Sequence, residues 1–404
     1  MSVVGLGGNR RGEMRITRFL RNGKVSVGEM VATASARTAA AAAGRHLVAI
    51  QDTTSLRDGG DGRSLCLHAT IVADARDGAL LGVADARVLA RTGGAAALRK
   101  ARPFAEKESR RWLEATKAAA ALARAAGAAS LTVVADREGD LYEEFALCPP
   151  GVDLVIRAAQ DRTLAAGGRL FAAARGWAEA GRLVVELPAA PGRRARRAVL
   201  SVRCGPVAIL RPGNRGRDLP RSVALHLVEA VELDPPAGAS PAQWRILTTR
   251  AVAGFEGARA VIDLYRARWT IEQLFRTMKT RGFDIEAVRI AEGPFEKLAT
   301  ACLIAAVTVL QLVRERDGAG RRPLADAFAP QDAPVLEALN GELEGATARQ
   351  KNPHPQGSLA RAAWTLARLG GWTGYYGKPG PVTLLRGLNR FHAAKLGYEL
   401  ARLV

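Results

Sequence analysis

Apolar residues in the first half of the chain fall into short runs, three of which end in a charged residue. Residues 46–52, 131–136 and 153–157 are these runs, and their length and composition predict buried strands. Two further runs, at 65–73 and 79–89, predict strands that are joined at a turn. An alanine-rich segment with helical spacing at 108–126 precedes the run at 131–136. The first half therefore reads as strand, strand, strand, helix, strand.

The pattern changes after residue 163. Short β-like runs alternate with turns rich in Gly, Pro and Arg up to about residue 240, and we interpret 164–240 as a β-rich insertion. Residues 244–249 resume the earlier strand pattern, and helical spacing from 255 to 279 predicts one long helix. The chain therefore divides into an N-terminal region (1–45), a first core part (46–163), the insertion (164–240), a second core part (241–295) and a helical C-terminal region (296–404).

Acidic residues stand at the ends of the first and fourth predicted strands. These are Asp52 and Asp136, and a third acid, Glu272, lies on the predicted long helix. Carboxylates at strand ends project into the cleft at the edge of an α/β sheet, where such folds usually build their sites. This order of elements and acids predicts an α/β fold with a ribonuclease-H-like catalytic core that is interrupted by the β-rich insertion.

Three converging carboxylates predict a metal site. Hard oxygen ligands suit Mg²⁺, for which Mn²⁺ can substitute, and two such ions can flank a phosphodiester during its cleavage. The net charge of +20 also favours a polyanionic partner, because contacts to phosphates release condensed counterions. A basic surface with no specific partner is the alternative to this interpretation.

The cysteines and the apolar segments bear on the location of the protein. The four cysteines are scattered and contain no CxxC pair, which excludes a zinc ribbon and suits a reducing cytoplasm. The apolar stretch at 299–313 is interrupted by polar residues, and we expect a buried helix too short to span a bilayer. No targeting segment opens the sequence, so we expect a cytoplasmic protein with no membrane partner.

The strongest local signal lies on the predicted long helix. Tyr265, Arg268, Glu272 and Lys279 would fall within about 60° of one another on a regular α-helix. A carboxylate between cations on one face is suited to holding a metal while the cations hold phosphates. The alternative is an amphipathic helix in which Arg268 and Glu272 form an ordinary i,i+4 ion pair.

The spacing Tyr-x2-Arg-x3-Glu-x6-Lys resembles the YREK motif of bacterial cut-and-paste transposases of the insertion sequence four family. The segments DREGD from Asp136 and QDTTS around Asp52 resemble that family's second and first aspartate motifs. RFLRN at 18–22 and NPHPQGSLARAAW at 352–364 are also similar to family sequence. The resemblance extends over most of the chain and identifies it as a member of the DDE transposases.

The resemblance implies an enzyme that binds the terminal inverted repeats of its element as a homodimer, cuts them and joins them to target DNA. It further implies a hairpin intermediate, in which a tryptophan stacks on a flipped base; Trp244 matches this residue, although core packing is the alternative. Arg157 resembles an arginine that contacts end DNA, or is a solvated residue at a strand end. Arg137 either contacts DNA or braces Asp136.

One departure from the family concerns the beginning of the chain. Members generally carry more residues before the first aspartate, so we interpret 1–45 as the remainder of an N-terminal DNA-binding region. Two other functions therefore stay open beside transposition. The first is a truncated, non-catalytic DNA-binding remnant, and the second is a ribonuclease-H-like nuclease without strand transfer.

Overall fold

The apolar runs form strands of a single sheet. The computed structural model describes residues 10–58, 63–92, 104–187, 194–280 and 282–401. Within these ranges the strands are β1 (His46–Asp58), β2 (Arg63–Asp74), β3 (Leu80–Thr92), β4 (Ser130–Ala135), β5 (Val152–Arg157), β6 (Gly181–Leu187), β7 (Arg196–Leu210), β8 (Ser222–Glu232) and β9 (Gln243–Thr248). Their order across the sheet is β3-β2-β1-β4-β5-β9-β8-β7-β6. The predicted α/β class is confirmed at this level.

The sheet is mostly antiparallel, with a parallel centre. β1, β4 and β5 are parallel to one another, and the other neighbouring strands are antiparallel. β9 pairs with β5 on one side and with β8 on the other, so the strands from the predicted insertion extend the same sheet. The division of the chain into five regions stays a prediction.

One strand boundary differs from the prediction in a way that matters for the site. We expected the first strand to end at Asp52, but β1 continues to Asp58. The reason is that β2 pairs with β1 over its whole length, whereas the parallel pairing with β4 ends at Ile50. Asp52 therefore lies inside a strand, immediately beyond the point where the neighbouring strand β4 leaves it.

The helices cover both faces of the sheet and form a C-terminal region. They are α1 (Arg10–Arg21), α2 (Val27–Ala41), α3 (Arg110–Ala125), α4 (Tyr142–Ala146), α5 (Leu170–Arg175), α6 (Gly254–Arg266), α7 (Trp269–Thr280), α8 (Glu292–Glu315), α9 (Asp332–Leu343), α10 (Leu359–Leu369) and α11 (Pro381–Ala401). Alternate residues of the central strands face opposite layers. Val48 and Ile50 pack with α6, α7 and α8, whereas Leu47 and Ala49 pack with α3, α4 and α5. A third cluster unites the end of α8 with α9, α10 and α11.

The predicted long helix at 255–279 is two helices in the structure. α6 ends at Arg266 and α7 begins at Trp269. At the junction the amide of Arg268 donates to Tyr265 O at 3.1 Å and that of Ile271 to Arg268 O at 3.1 Å. These i→i+3 bonds tighten the chain to about three residues per turn, so side chains on either side of the break do not keep α-helical phase. The prediction of one continuous face was wrong for this reason.

The apolar segment near residue 300 forms part of the 24-residue helix α8. By length and composition alone this helix could cross a membrane, which corrects the expectation that it is too short. However, 61% of its most apolar window is buried inside the protein, and Leu303, Ala306 and Leu310 pack in the core beneath the sheet. The predicted buried helix is confirmed.

Candidate functional site

The strand register brings the two predicted catalytic aspartates together. Ile50 of β1 is paired with Val134 of β4, so Asp52 and Asp136, each two residues further along parallel chains, lie level with each other. Neighbouring strands are about 4.8 Å apart. Because side chains alternate, both aspartates share the face of Ile50 and Val134, and that face is covered by α7. The apolar runs thus place two carboxylates side by side beneath the helix that carries Glu272.

Each aspartate is oriented by a backbone amide of a nearby residue. Oδ1 of Asp52 accepts from the amide of Thr53 at 2.8 Å, and Oδ1 of Asp136 accepts from that of Glu138 at 2.8 Å. The second of these bonds begins a single turn of 3₁₀-helix at Arg137–Gly139. The remaining oxygens of both carboxylates are thereby held in a defined direction.

Glu272 faces the aspartates across an arginine. Nη1 of Arg268 lies 3.0 Å from Oδ2 of Asp52, and its Nη2 forms a salt bridge with Oε1 of Glu272. The side chain of Arg268 is 11% exposed, whereas that of Glu272 is 47% exposed. The guanidinium therefore bridges an acid of the sheet and an acid of the helix at the mouth of the site.

The crowding of acids perturbs Asp52. Burial raises the pKa of its carboxyl to about 7, and the charge of Asp136 acts in the same direction. Arg268 and the amide of Thr53 oppose this rise, and Glu272 adds a smaller upward contribution. A carboxyl whose pKa is shifted by burial and by a specific neighbouring charge is typical of functional sites.

The donor set fits a hard divalent cation. Asp52 and Asp136 present carboxylate oxygens on one sheet face, and Glu272 approaches from the helix. Within the described ranges, no group of three or more His, Cys, Asp or Glu side chains is already drawn together as a metal cluster. Arg268 lies between the acids instead, so binding a metal at all three would require its guanidinium to move.

Two of the predicted DNA-contacting residues are buried in an aromatic cluster. Trp244 on β9 is 7% exposed, and its ring lies 6.4 Å from the rings of both Tyr265 and Trp269. Tyr265 is 4% exposed and its ring lies 5.8 Å from the guanidinium carbon of Arg268. The cluster thus packs against Arg268 through the ring of Tyr265. Contact of Trp244 or Tyr265 with DNA stays a prediction, and it would require this cluster to open.

The remaining predicted DNA contacts lie at three separate places. Arg137 is exposed directly beside Asp136. Nζ of Lys279 lies 2.8 Å from Oε1 of Glu286, and its side chain is 23% exposed. Arg157, at the end of β5, donates from Nη2 to the carbonyl of Gln243 at 2.9 Å. None of these contacts excludes a role in binding phosphates, and the assignments stay predictions.

The segment after Asp136 is fixed by a buried ion pair that the sequence analysis did not identify. Asp140 and Arg162 have side chains that are 0% and 4% exposed, and Nη2 of Arg162 lies 2.6 Å from Oδ1 of Asp140. Oδ2 of Asp140 also accepts from the amides of Ala159 and Gln160 at 2.8 and 2.9 Å. The second aspartate of the DREGD segment therefore joins the chain after β4 to the chain after β5.

Arg111 is a second residue that the sequence analysis did not identify. It lies in the first turn of α3, is 6% exposed, and contacts residues adjacent to both aspartates. The available signal was its position, because a cation in the first turn of a helix opposes the helix dipole and so requires another reason to be there.

A family model agrees with this site over part of the chain. The model described as Transposase DDE domain matches residues 210–308. The matched segment includes the residues Trp244, Tyr265, Arg268, Glu272 and Lys279, whereas both aspartates lie before it. The match supports a DDE transposase.

Proposed function

We propose that the protein is a metal-dependent DNA transposase of the cut-and-paste type, with Asp52, Asp136 and Glu272 as its catalytic acids. The observation that carries this proposal is the side-by-side position of the two aspartates beneath a helix whose glutamate faces them. The family match over 210–308 and the YREK spacing support the same activity. The order β3-β2-β1-β4-β5 with a parallel centre supports a ribonuclease-H-like core.

The three acids would hold two Mg²⁺ ions, for which Mn²⁺ can substitute. When bound, such ions activate the attacking oxygen and stabilise the leaving oxygen of a phosphodiester. The protein residues position the DNA around this centre. Arg268 can hold a phosphate through two N–H groups once it leaves the carboxylates, and Lys279 would supply a point charge from the last turn of α7.

The finer steps follow from the family resemblance. In this proposal a homodimer holds two terminal inverted repeats, cuts them and joins their 3′ ends to target DNA. A hairpin intermediate would require one base to leave the helix, and Trp244 would stack on it after the aromatic cluster opens. Arg137 and Arg157 would contact the backbone of the end DNA. The net charge of +20 supports a nucleic-acid partner in the cytoplasm.

The experiment that tests this function is cleavage and joining of DNA that carries the ends of the surrounding element. Purified protein is incubated with this DNA and a target plasmid in Mg²⁺ or Mn²⁺. We expect metal-dependent cuts at the element boundary and joined products, both of which are lost in Asp136→Ala and Glu272→Ala. Asp263→Ala, which removes an acid whose side chain is 53% exposed on α6, is the matched control and should behave as wild type.

Two outcomes would favour the alternative functions, and a third would contradict the assignment of an acid. Cuts without joined products would favour the nuclease alternative. Binding of the end DNA without any cut in either metal would favour the non-catalytic remnant. Cleavage at the wild-type rate by either acid variant would remove that acid from the proposed site.

A further inference from the structure

Burying the charge of Arg111 costs free energy unless its hydrogen bonds and ion pairs offset the loss of water. Its guanidinium is buried near the N-terminus of α3, where the helix dipole disfavours a positive charge. It donates from Nη1 to the carbonyl and to Oε1 of Glu108 at 3.1 and 2.9 Å, and from Nη2 to Oε2 of Glu138 at 2.9 Å. A buried cation is tolerated when its N–H groups are satisfied in this way.

Arg111 touches both residues that orient the catalytic aspartates. Thr53 donates its amide to Asp52, and Glu138 donates its amide to Asp136, each to Oδ1 at 2.8 Å. The side chains of the same two residues meet at Arg111. Its Nε lies 3.4 Å from Oγ1 of Thr53, and its Nη2 lies 2.9 Å from Oε2 of Glu138.

The Thr53 side of this bridge is fixed by a buried histidine. Oγ1 of Thr53 lies 2.9 Å from Nδ1 of His68, a residue that is 0% exposed. The ring of His68 packs edge-on against Trp112 at 4.7 Å, and Trp112 directly follows Arg111 on α3. Helix α3 therefore holds the hydroxyl of Thr53 from two directions.

We propose that Arg111 is a positioning residue that sets the spacing and direction of the Asp52 and Asp136 carboxylates for the metal centre. This inference rests on the proposed function. Consecutive residues of a strand point to opposite faces, so Thr53 and Asp52 of β1 do so, and Arg111 contacts Thr53 and Glu138; it therefore acts through these two residues. Lysine cannot replace it, because a single ammonium lacks the planar fork that reaches Thr53, Glu108 and Glu138 together.

The test compares Arg111→Lys with Arg322→Lys. Arg322 is also 6% exposed and is paired with acids, but it lies between the β2–β3 turn and the C-terminal helices. The two substitutions therefore make a similar change at equal burial. Only Arg111 contacts residues that hold the catalytic aspartates Asp52 and Asp136. Mn²⁺ binding to the full-length protein without DNA is measured by the paramagnetic resonance of free Mn²⁺, with Asp136→Asn as the reference for loss of the site.

We expect Arg111→Lys to weaken Mn²⁺ binding about 10-fold, the usual effect of removing a residue that orients metal ligands. In cleavage assays it should lower kcat and raise the Mn²⁺ requirement while leaving the KM for DNA unchanged, since a buried guanidinium cannot contact DNA. Arg322→Lys should match wild type in Mn²⁺ affinity. A merely structural role would move thermal stability in both variants but Mn²⁺ affinity in neither.

Glu138→Ala provides a second route should Arg111→Lys fail to fold. The side chain of Glu138 is 54% exposed, so its loss removes one acceptor of Arg111 without opening the core. Glu138→Ala should also weaken Mn²⁺ binding. Wild-type Mn²⁺ affinity in a folded Arg111→Lys or in Glu138→Ala would overturn the inference alone. Equal Mn²⁺ binding by wild type and Asp136→Asn would overturn the proposed function and this inference with it.

Discussion

Replacing Asp52 by asparagine should stabilise the metal-free protein at neutral and alkaline pH. Burial and the neighbouring charge of Asp136 raise the pKa of Asp52 to about 7, although Arg268 opposes this change. Its ordinary value is 3.8. The acid is therefore held in an environment that disfavours its ionised form, as is common where function conflicts with stability.

The sign of the pH dependence follows from this direction. Between about pH 4 and pH 7 the folded state binds a proton at Asp52 more often than the unfolded state does, so the free energy of unfolding falls as the pH rises. Above about pH 7 the free energy of unfolding no longer falls on account of Asp52. The interval between 3.8 and about 7 corresponds to about 4 kcal/mol. For a chain of 404 residues this is a difference in Tm of about 5 °C.

The measurement is the Tm of wild type and Asp52→Asn in EDTA at several pH values from 4 to 8. The variant has no ionisable group at this position, so its Tm should exceed that of wild type by a gap that opens as the pH rises. Adding Mg²⁺ or Mn²⁺ should narrow the gap, because a bound cation stabilises the ionised carboxylate only in wild type. Asp263→Asn, at a largely exposed position, serves as the control and should show no such gap.

The result that refutes this reasoning is a variant that melts at or below wild type at pH 8. It would mean that Arg268 compensates the charge of Asp52 fully in the folded protein. A gap of constant size from pH 4 to pH 8 would equally contradict it, because a difference that does not change with pH cannot arise from ionisation.

Three further predictions concern the surroundings of the acids. Lys279→Ala should reduce the affinity for end DNA and lower the slope of log affinity against log salt by about 1, as measured by fluorescence anisotropy at several salt concentrations. Asp140→Ala leaves Arg162 buried without its carboxylate, and urea unfolding should show a loss of about 3–5 kcal/mol; a loss below 1 kcal/mol would contradict the buried pair. Trp244→Ala should cost about 3–5 kcal/mol in the same assay, whereas Trp244→Phe should cost less because it keeps most of the apolar packing.

The sequence was sufficient to predict that the two aspartates lie near each other because the apolar pattern of each buried strand is local. The runs before Asp52 and Asp136 are mostly apolar and are buried between two helical layers, and such runs indicate central parallel strands. Once β1 and β4 are neighbours, equal spacing from the last paired residues puts both carboxylates on one face. The α/β class followed from the same runs.

The end of β1 could not be predicted by the same rule. Its continuation to Asp58 depends on pairing with β2, and residues 53–58 carry too few apolar side chains to reveal it. The role of Arg111 could not be predicted for a related reason. Its partners Thr53 and Glu138 lie far from it along the chain in opposite directions, and only the packing of α3 on the sheet brings them to one guanidinium.

The helix that carries Glu272 has a different geometry from the one that its sequence predicts. Helical phase predicted that Tyr265 and Glu272 share one face, but in the structure the phenol ring is buried and the glutamate is 47% exposed on either side of the tight turn at Arg268. The same turn lets the guanidinium of Arg268 make the i,i+4 contact with Glu272 while its other nitrogen reaches Asp52 on the sheet. The i,i+4 ion pair of the alternative interpretation is therefore present, and a role of these residues in binding metal and phosphate stays a prediction. The helix break thus holds the arginine between an acid of the sheet and an acid of the helix, and it buries the tyrosine that precedes them.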